Sequence, residues 1–219
     1  MAGLAARKGV APRRRSAEDR RAQVVAAARR LMGRHGAEGV SMRAIAAAAG
    51  VSPAALYLYY PDKAVLMAAV VDAVFAGILG EFEAAVQRAA ASRDPFARLA
   101  ALMRSYVDWG LAHPDEYRLV FMTPVIGVAG HRPAPPEGAD CPTGSANGEA
   151  TFAALAAEIA RLIESGHARK ADPAVVAEQI WAAGHGLVAL MTTFPDFDWS
   201  DAALLRDRLT ETMLRGITA

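Results

Sequence analysis

Residues 41–63 read SMRAIAAAAGVSPAALYLYYPDK. Two serines, Ser41 and Ser52, each precede a short helix-forming run, and a serine hydroxyl suits the orphan amides of a helix start. Pro53 falls in the first turn of the second run, where a missing N–H costs nothing. Gly50 separates the runs and Pro61 stops the second. Ala46 and Gly50 stand four apart. Two helices crossing steeply through a short turn need a small residue at the crossing and a residue at the turn that adopts positive φ. Ile45, Ala49, Val51 and Leu56 supply apolar positions to bury. The spacing predicts a helix-turn-helix.

The flanks extend this pattern without a strand. Ser16 is placed to cap a helix with Glu18 and Asp19 in its first turn, running to His35 before Gly36. Asp62 is placed to cap a long helix over 63–90. Asp94-Pro95, His113-Pro114, Asp172-Pro173 and Ser200 mark further starts, giving helices over about 95–112, 114–121, 173–194 and 201–217, and an amphipathic pattern adds one over about 149–165. The expectation is an all-α chain of about nine helices. Residues 123–148, rich in proline and glycine and holding the single cysteine Cys141, read as the one long loop. The domain expectation is a basic arm at 1–15 with no ordered structure, a three-helix unit at 16–62, and a larger helical domain at 63–219.

Composition narrows the class. The chain has 219 residues, 53% apolar and 21% charged, ample for a packed core. One cysteine excludes an internal disulfide framework and a cysteine-only zinc site. No apolar signal segment opens the chain. The run over residues 64–71 is too short to cross a bilayer, which needs about 20 apolar residues, so a soluble cytoplasmic protein without membrane contact is expected. Net charge is only +1, yet residues 1–63 hold 12 Lys and Arg against 4 Asp and Glu, a balance of +8, and the remainder balances at −7. That sorting points one end at a polyanion.

On these residues the chain resembles the TetR family of bacterial transcriptional repressors. The carriers are Ser41, the run IAAAAGVS over residues 45–52, Leu56-Tyr57, Tyr59-Tyr60 and Asp62-Lys63, and the match spans about residues 22–71. It departs in having alanines at 54 and 55, where glycine is frequent, and Tyr59-Tyr60 where His-Phe is common. The resemblance implies phosphate contacts from Ser41, Tyr57, Tyr59 and Lys63, a base contact from Arg43, and a groove-entering turn of Ser52, Pro53, Ala54 and Ala55. Most protein–DNA hydrogen bonds go to phosphate, and arginine suits the guanine edge.

A single helix-turn-helix reads a short site, so a homodimer on double-stranded DNA is expected. Residues 177–191 are apolar on nearly every side, with small residues that permit close helix approach. The candidate interface is Ala183, Gly184, Leu187, Leu205, Leu209 and Met213. The run Trp181-Ala182-Ala183-Gly184-His185-Gly186 resembles the Trp-x3-His-Gly pattern of one subgroup of the family. Trp181 and His185 lie one turn apart, placed to line a pocket for a small, mostly apolar effector with Met103, Tyr106, Trp109, Phe121 and Phe152. A histidine satisfied within the core is the competing reading for His185, and plain packing for the aromatics.

An enzyme is disfavoured. No metal-protease, phosphate-loop or serine-hydrolase motif occurs, the five histidines are scattered, and no metal or cofactor is expected. A helical protein-interaction module without a small-molecule effector is the remaining alternative.

Overall fold

The computed structural model describes residues 16–123 and 145–218. The basic arm at 1–15, Cys141 and most of the expected 123–148 loop lie outside them. Nine α-helices occur among the described residues: α1 (Ala17–His35), α2 (Met42–Ala48), α3 (Pro53–Tyr59), α4 (Lys63–Ala89), α5 (Ala97–Ala112), α6 (Pro114–Tyr117), α7 (Ala146–Glu164), α8 (Pro173–Thr193) and α9 (Ala202–Ile217). A π-helical turn, Arg118–Met122, continues α6. The only β contact among them is an isolated bridge between Ala168 and Thr218.

Side-chain caps set most of the helix starts. Ser16 and Asp19 form a reciprocal capping box at α1, and Ser41, Ser52 and Asp62 each accept an amide hydrogen at the start of α2, α3 and α4. Three starts differ from the expectation. Asp201, not Ser200, caps α9 by accepting from the Leu204 amide at 2.9 Å. The helix expected from Asp94-Pro95 begins at Ala97, because Asp94 instead caps a turn through the Phe96 amide. Helix α7 starts three residues earlier than expected, capped by the buried Ser145.

Helix α4 is the spine. It leaves the three-helix unit at Lys63 and buries Leu66, Val70, Val74, Phe75, Ile78 and Phe82 against its neighbours. Helices α5 and α7 pack against it, and α8 packs on α5 and α7. Asp72 on α4 holds the start of α7, accepting from the Ser145 hydroxyl at 2.7 Å, the Asn147 amide at 3.1 Å and the Asn147 side chain at 2.8 Å. At the opposite end of α7 the buried Glu158 pairs with Arg98 and Arg161. Helix α9 is held to α5 by Arg206–Asp108 and Arg104–Asp207. Both α4 and α8 are long and apolar enough to cross a bilayer, although the eight-residue run inside α4 is not. Helix α4 directs much of that surface into the core.

Helices α5, α6 and α8 meet closely at Gly110. A Cβ there would stand 2.7 Å from Val188 Cγ1 and 3.1 Å from Tyr117 Cδ2, so only glycine lets α5, α6 and α8 meet. Overpacking a filled site costs about 1–3 kcal/mol. Gly110→Ala is expected to lower the melting temperature by several degrees in a thermal unfolding scan, since about 1 kcal/mol moves Tm by roughly 2–4 °C at this size. An unchanged Tm would show that the crossing relaxes freely.

Candidate DNA-binding surface and effector cavity

The three-helix unit is tied together from its turn. Gly50 has φ 63°, and Val51 donates to the Ala46 carbonyl at 3.0 Å across it. Ala46, Ile45 and Leu56 are fully buried where α2 crosses α3. Gln23 of α1 donates to the Ala49 carbonyl at 2.7 Å, holding the end of α2 from behind. The unit therefore presents α3 as a rigid outer edge.

The nine candidate DNA residues separate by exposure. Arg43, Ser52, Pro53, Ala54 and Tyr57 are exposed, Ala55, Tyr59 and Lys63 are half-buried, and Ser41 is exposed at the start of α2. The oxygens of Ser41 and Ser52 accept the Ala44 and Ala55 amides at 3.2 and 3.1 Å. Each hydroxyl hydrogen is left to donate. Arg21 lies over the Tyr59 ring, 5.8 Å from its centroid, adding a cation beside this edge. Lys63 reaches the Glu38 carbonyl at 3.4 Å. Leu58 escaped the sequence reading. It is 84% exposed on α3, a large apolar side chain with no core to face.

In the larger domain a cavity of about 540 Å³ opens between α4, α5, α7, α8 and α9. Of the candidate pocket residues, Met103, Tyr106, Phe121, Phe152 and Trp181 line it, joined by Phe75, Ile78, Phe82, Leu155 and Thr210. Trp109 and His185 are not among the lining residues. Trp109 is buried and stacks on His113, with ring centroids 5.2 Å apart.

His185 sits behind the lining. Its Nδ1 lies 2.5 Å from the Tyr117 hydroxyl, which also reaches the His185 carbonyl at 3.1 Å. One proton each satisfies both contacts if Nδ1–H donates to Tyr117 and Tyr117 donates to the carbonyl. Trp181 Nε1 donates to the Tyr106 hydroxyl at 3.2 Å, and that hydroxyl lies 3.4 Å from His185 Nδ1. Burial pushes Tyr106 up to about 12, and burial also drives Tyr117 upward. Both hydroxyls stay protonated. Burial lowers His185 below its ordinary 6.5, which keeps it neutral.

The segment of α6 and its π turn links these parts. Phe121 in the π turn packs against Phe75, Tyr117 and Trp181, with centroids 5.6, 4.9 and 6.3 Å away. Glu116, one residue before Tyr117, receives a two-point bond from Arg29 of α1, with Nε to Oε1 at 2.7 Å. A Cβ on Gly33 of α1 would stand 3.4 Å from the Asp115 Cβ. Arg118 donates to the Thr192 carbonyl at the end of α8 at 2.7 Å.

The expected interface residues divide. Ala183, Leu187 and Leu205 are half-buried on α8 and α9. Gly184 does not face outward. It is buried, and a Cβ there would stand 3.4 Å from the Tyr106 ring of the same chain. Leu209 turns into the cavity, and Met213 packs on the chain's own core. An outward stripe does exist on α8, through Val175, Gln179, Ala182, Gly186 and Leu190, one helical face at three- and four-residue steps. Val175 and Leu190 are 48% and 49% exposed there, and Leu204 of α9 is 50% exposed. Among the described residues no group of three His, Cys, Asp or Glu side chains is placed to hold a metal.

Two family profiles match. "Bacterial regulatory proteins, tetR family" covers residues 24–70, and "Tetracyclin repressor-like, C-terminal domain" covers residues 99–217, over half of the chain. The chain belongs to the TetR family. It is a DNA-binding transcriptional regulator and not an enzyme. Its fold is shared by a protein of unknown function from Rhodococcus sp. RHA1, with 22% identity over 95% of this chain and 98% of that one, at TM-score 0.75. A TetR-family regulator from Mesorhizobium loti MAFF303099 has 19% identity over 92% and 98%, at TM-score 0.66. RolR in complex with resorcinol has 17% identity over 91% and 88%, at TM-score 0.61. No curated protein matches the chain in sequence.

The shift at His185 carries a pH dependence. As pH falls below about 6.5 the unfolded chain takes up a proton at this imidazole while the folded chain does not. The stability from neutral His185 is therefore complete above 6.5 and declines as pH drops toward the folded value. His185→Asn keeps a donor near the Nδ1 position but cannot titrate. Between pH 7.5 and 5.5 the parent protein is expected to lose more Tm than this variant. Parallel losses would remove His185 from the account.

Proposed function

We propose that the protein is a cytoplasmic, dimeric repressor that binds a palindromic operator and is released by a small, mostly apolar effector. The observation that carries the reading is the cavity, joined to the DNA-reading unit by the α6 segment. Ser41, Tyr57, Tyr59 and Lys63 would contact phosphates, Arg43 a base edge, and the turn from Ser52 to Ala55 would enter the major groove. The apolar tops of Ala54 and Leu58 suit thymine methyl groups. Tyr106, Phe121, Phe152 and Trp181 would hold the effector, and Trp181 and His185 keep the chain's resemblance to the Trp-x3-His-Gly subgroup.

The uncovered stripe on α8 supports the dimer. A water-exposed row of Val175, Ala182 and Leu190 is stabilised by a second copy laid against it, with Leu204 of α9 beside it. Release requires the effector to favour a conformation with a different spacing of recognition helices, and coupling of this kind is worth about 1–3 kcal/mol. Helix α4 carries the DNA unit bodily, and the Arg29–Glu116 contact carries it from the cavity side.

Selection of bound duplexes from a random pool tests this function. The expected product is a two-fold symmetric site with half-sites one or more helical turns apart, bound with steep salt dependence. Leu190→Glu is expected to give monomers by light scattering and to cut operator affinity at least a hundredfold with α3 untouched. An asymmetric site, or a Leu190→Glu protein that stays dimeric and binds normally, contradicts the proposal.

A further inference from the structure

We propose that the effector is a lipophilic cation, with an apolar body and a positively charged nitrogen. This rests on the cavity being the effector site and adds the sign of its charge. The cavity wall presents rings from Phe75, Tyr106, Phe121, Phe152 and Trp181. The charged side chains that line it are two carboxylates, Glu149 of α7 and Glu178 of α8. Among the described lining residues there is no Lys, Arg or His, in a chain with 24 Lys and Arg.

Several acids elsewhere in the domain are already committed to partners. Glu116, Glu158, Asp108 and Asp207 are each matched by arginine, and Asp72 by three donors on α7. Glu149 and Glu178 have no hydrogen-bond or ion-pair partner among the described residues. Both are exposed, whereas Phe75, Tyr106 and Phe82 are buried. The cavity is thus apolar and aromatic within and negative where it meets water. Glu149 lies in the first turn of α7 and Glu178 in α8, on two different helices of the cavity wall.

An anionic ligand would meet two like charges and no counter-charge. A neutral one would gain nothing from them. A cation gains both the carboxylates and the ring faces, which attract positive charge through their quadrupoles. The rings fix the body of the ligand and the carboxylates fix its charge.

Calorimetric titration of the full-length dimer with three matched probes tests the proposal. The probes are (2-phenylethyl)trimethylammonium, its neutral carbon analogue (3,3-dimethylbutyl)benzene, and 4-phenylbutanoate. The ammonium ion is expected to bind on the order of tenfold more tightly than the neutral analogue, and 4-phenylbutanoate not measurably. In the Glu149→Gln/Glu178→Gln double variant, both changes being at exposed positions, the ammonium is expected to fall to the level of the neutral probe, whose own affinity stays the same. Equal binding of the ammonium and neutral probes, or a preference that survives the double variant, overturns the charge assignment while leaving the effector site standing. Failure of all three probes to bind overturns the site and the proposal together.

Discussion

Tyr117 has no exposed surface, and its hydroxyl is committed to His185 on a different helix. A buried hydroxyl without a partner costs about 1–3 kcal/mol, so the position of α6 is set by where that bond can form. Three other contacts depend on that position. Phe121 reaches the cavity wall, Glu116 reaches Arg29 on α1, and Gly110 on α5 leaves room for the Tyr117 ring. A segment of nine residues thereby touches the cavity, the bundle core and the DNA-reading unit at once. It ends in a π turn, a geometry that is rare and frequently found at functional sites.

The rest of the molecule is divided by charge and by rigidity. The basic unit at the N-terminal end is held by short-range contacts, from serine caps to the Gln23–Ala49 bond. The larger domain is acidic on balance and keeps its cavity open by arranging rings at 5–6 Å separations around it, as between Phe75 and Phe121 or Phe152 and Trp181. A side wall that includes Phe152 hangs on α7, and α7 is anchored to α4 by Asp72.

What the sequence made readable was local. Ser16, Ser41, Ser52 and Asp62 announce helix starts because a cap needs only the three residues beside it, and Gly50 announces the turn for the same reason. Proximity misled where two caps compete, as with Ser200 beside Asp201. The five expected pocket residues that line the cavity are large apolar side chains on helical periods. Trp109 shares that pattern and still lies outside the wall, because a period defines a face and not the distance to a neighbouring helix. Gly184 looked like an intersubunit contact, yet its close approach is to Tyr106, 78 positions away in the same chain. The Arg29–Glu116 pair and the Tyr117–His185 bond join positions 87 and 68 apart. No spacing rule brings such residues together.

The central claim is that the cavity acts on the DNA unit through movement of α6 against α1. Gly33 and Asp115 offer a direct way to arrest it, since a Cβ on Gly33 would stand 3.4 Å from the Asp115 Cβ, near the separation that a disulfide spans. In a Gly33→Cys/Asp115→Cys protein with Cys141→Ser, operator binding can be followed against effector concentration in the oxidised and reduced forms. The account predicts that the oxidised protein binds its operator but is not released by effector, and that reductant restores release. Equal release from both forms would show that the signal does not pass between α6 and α1.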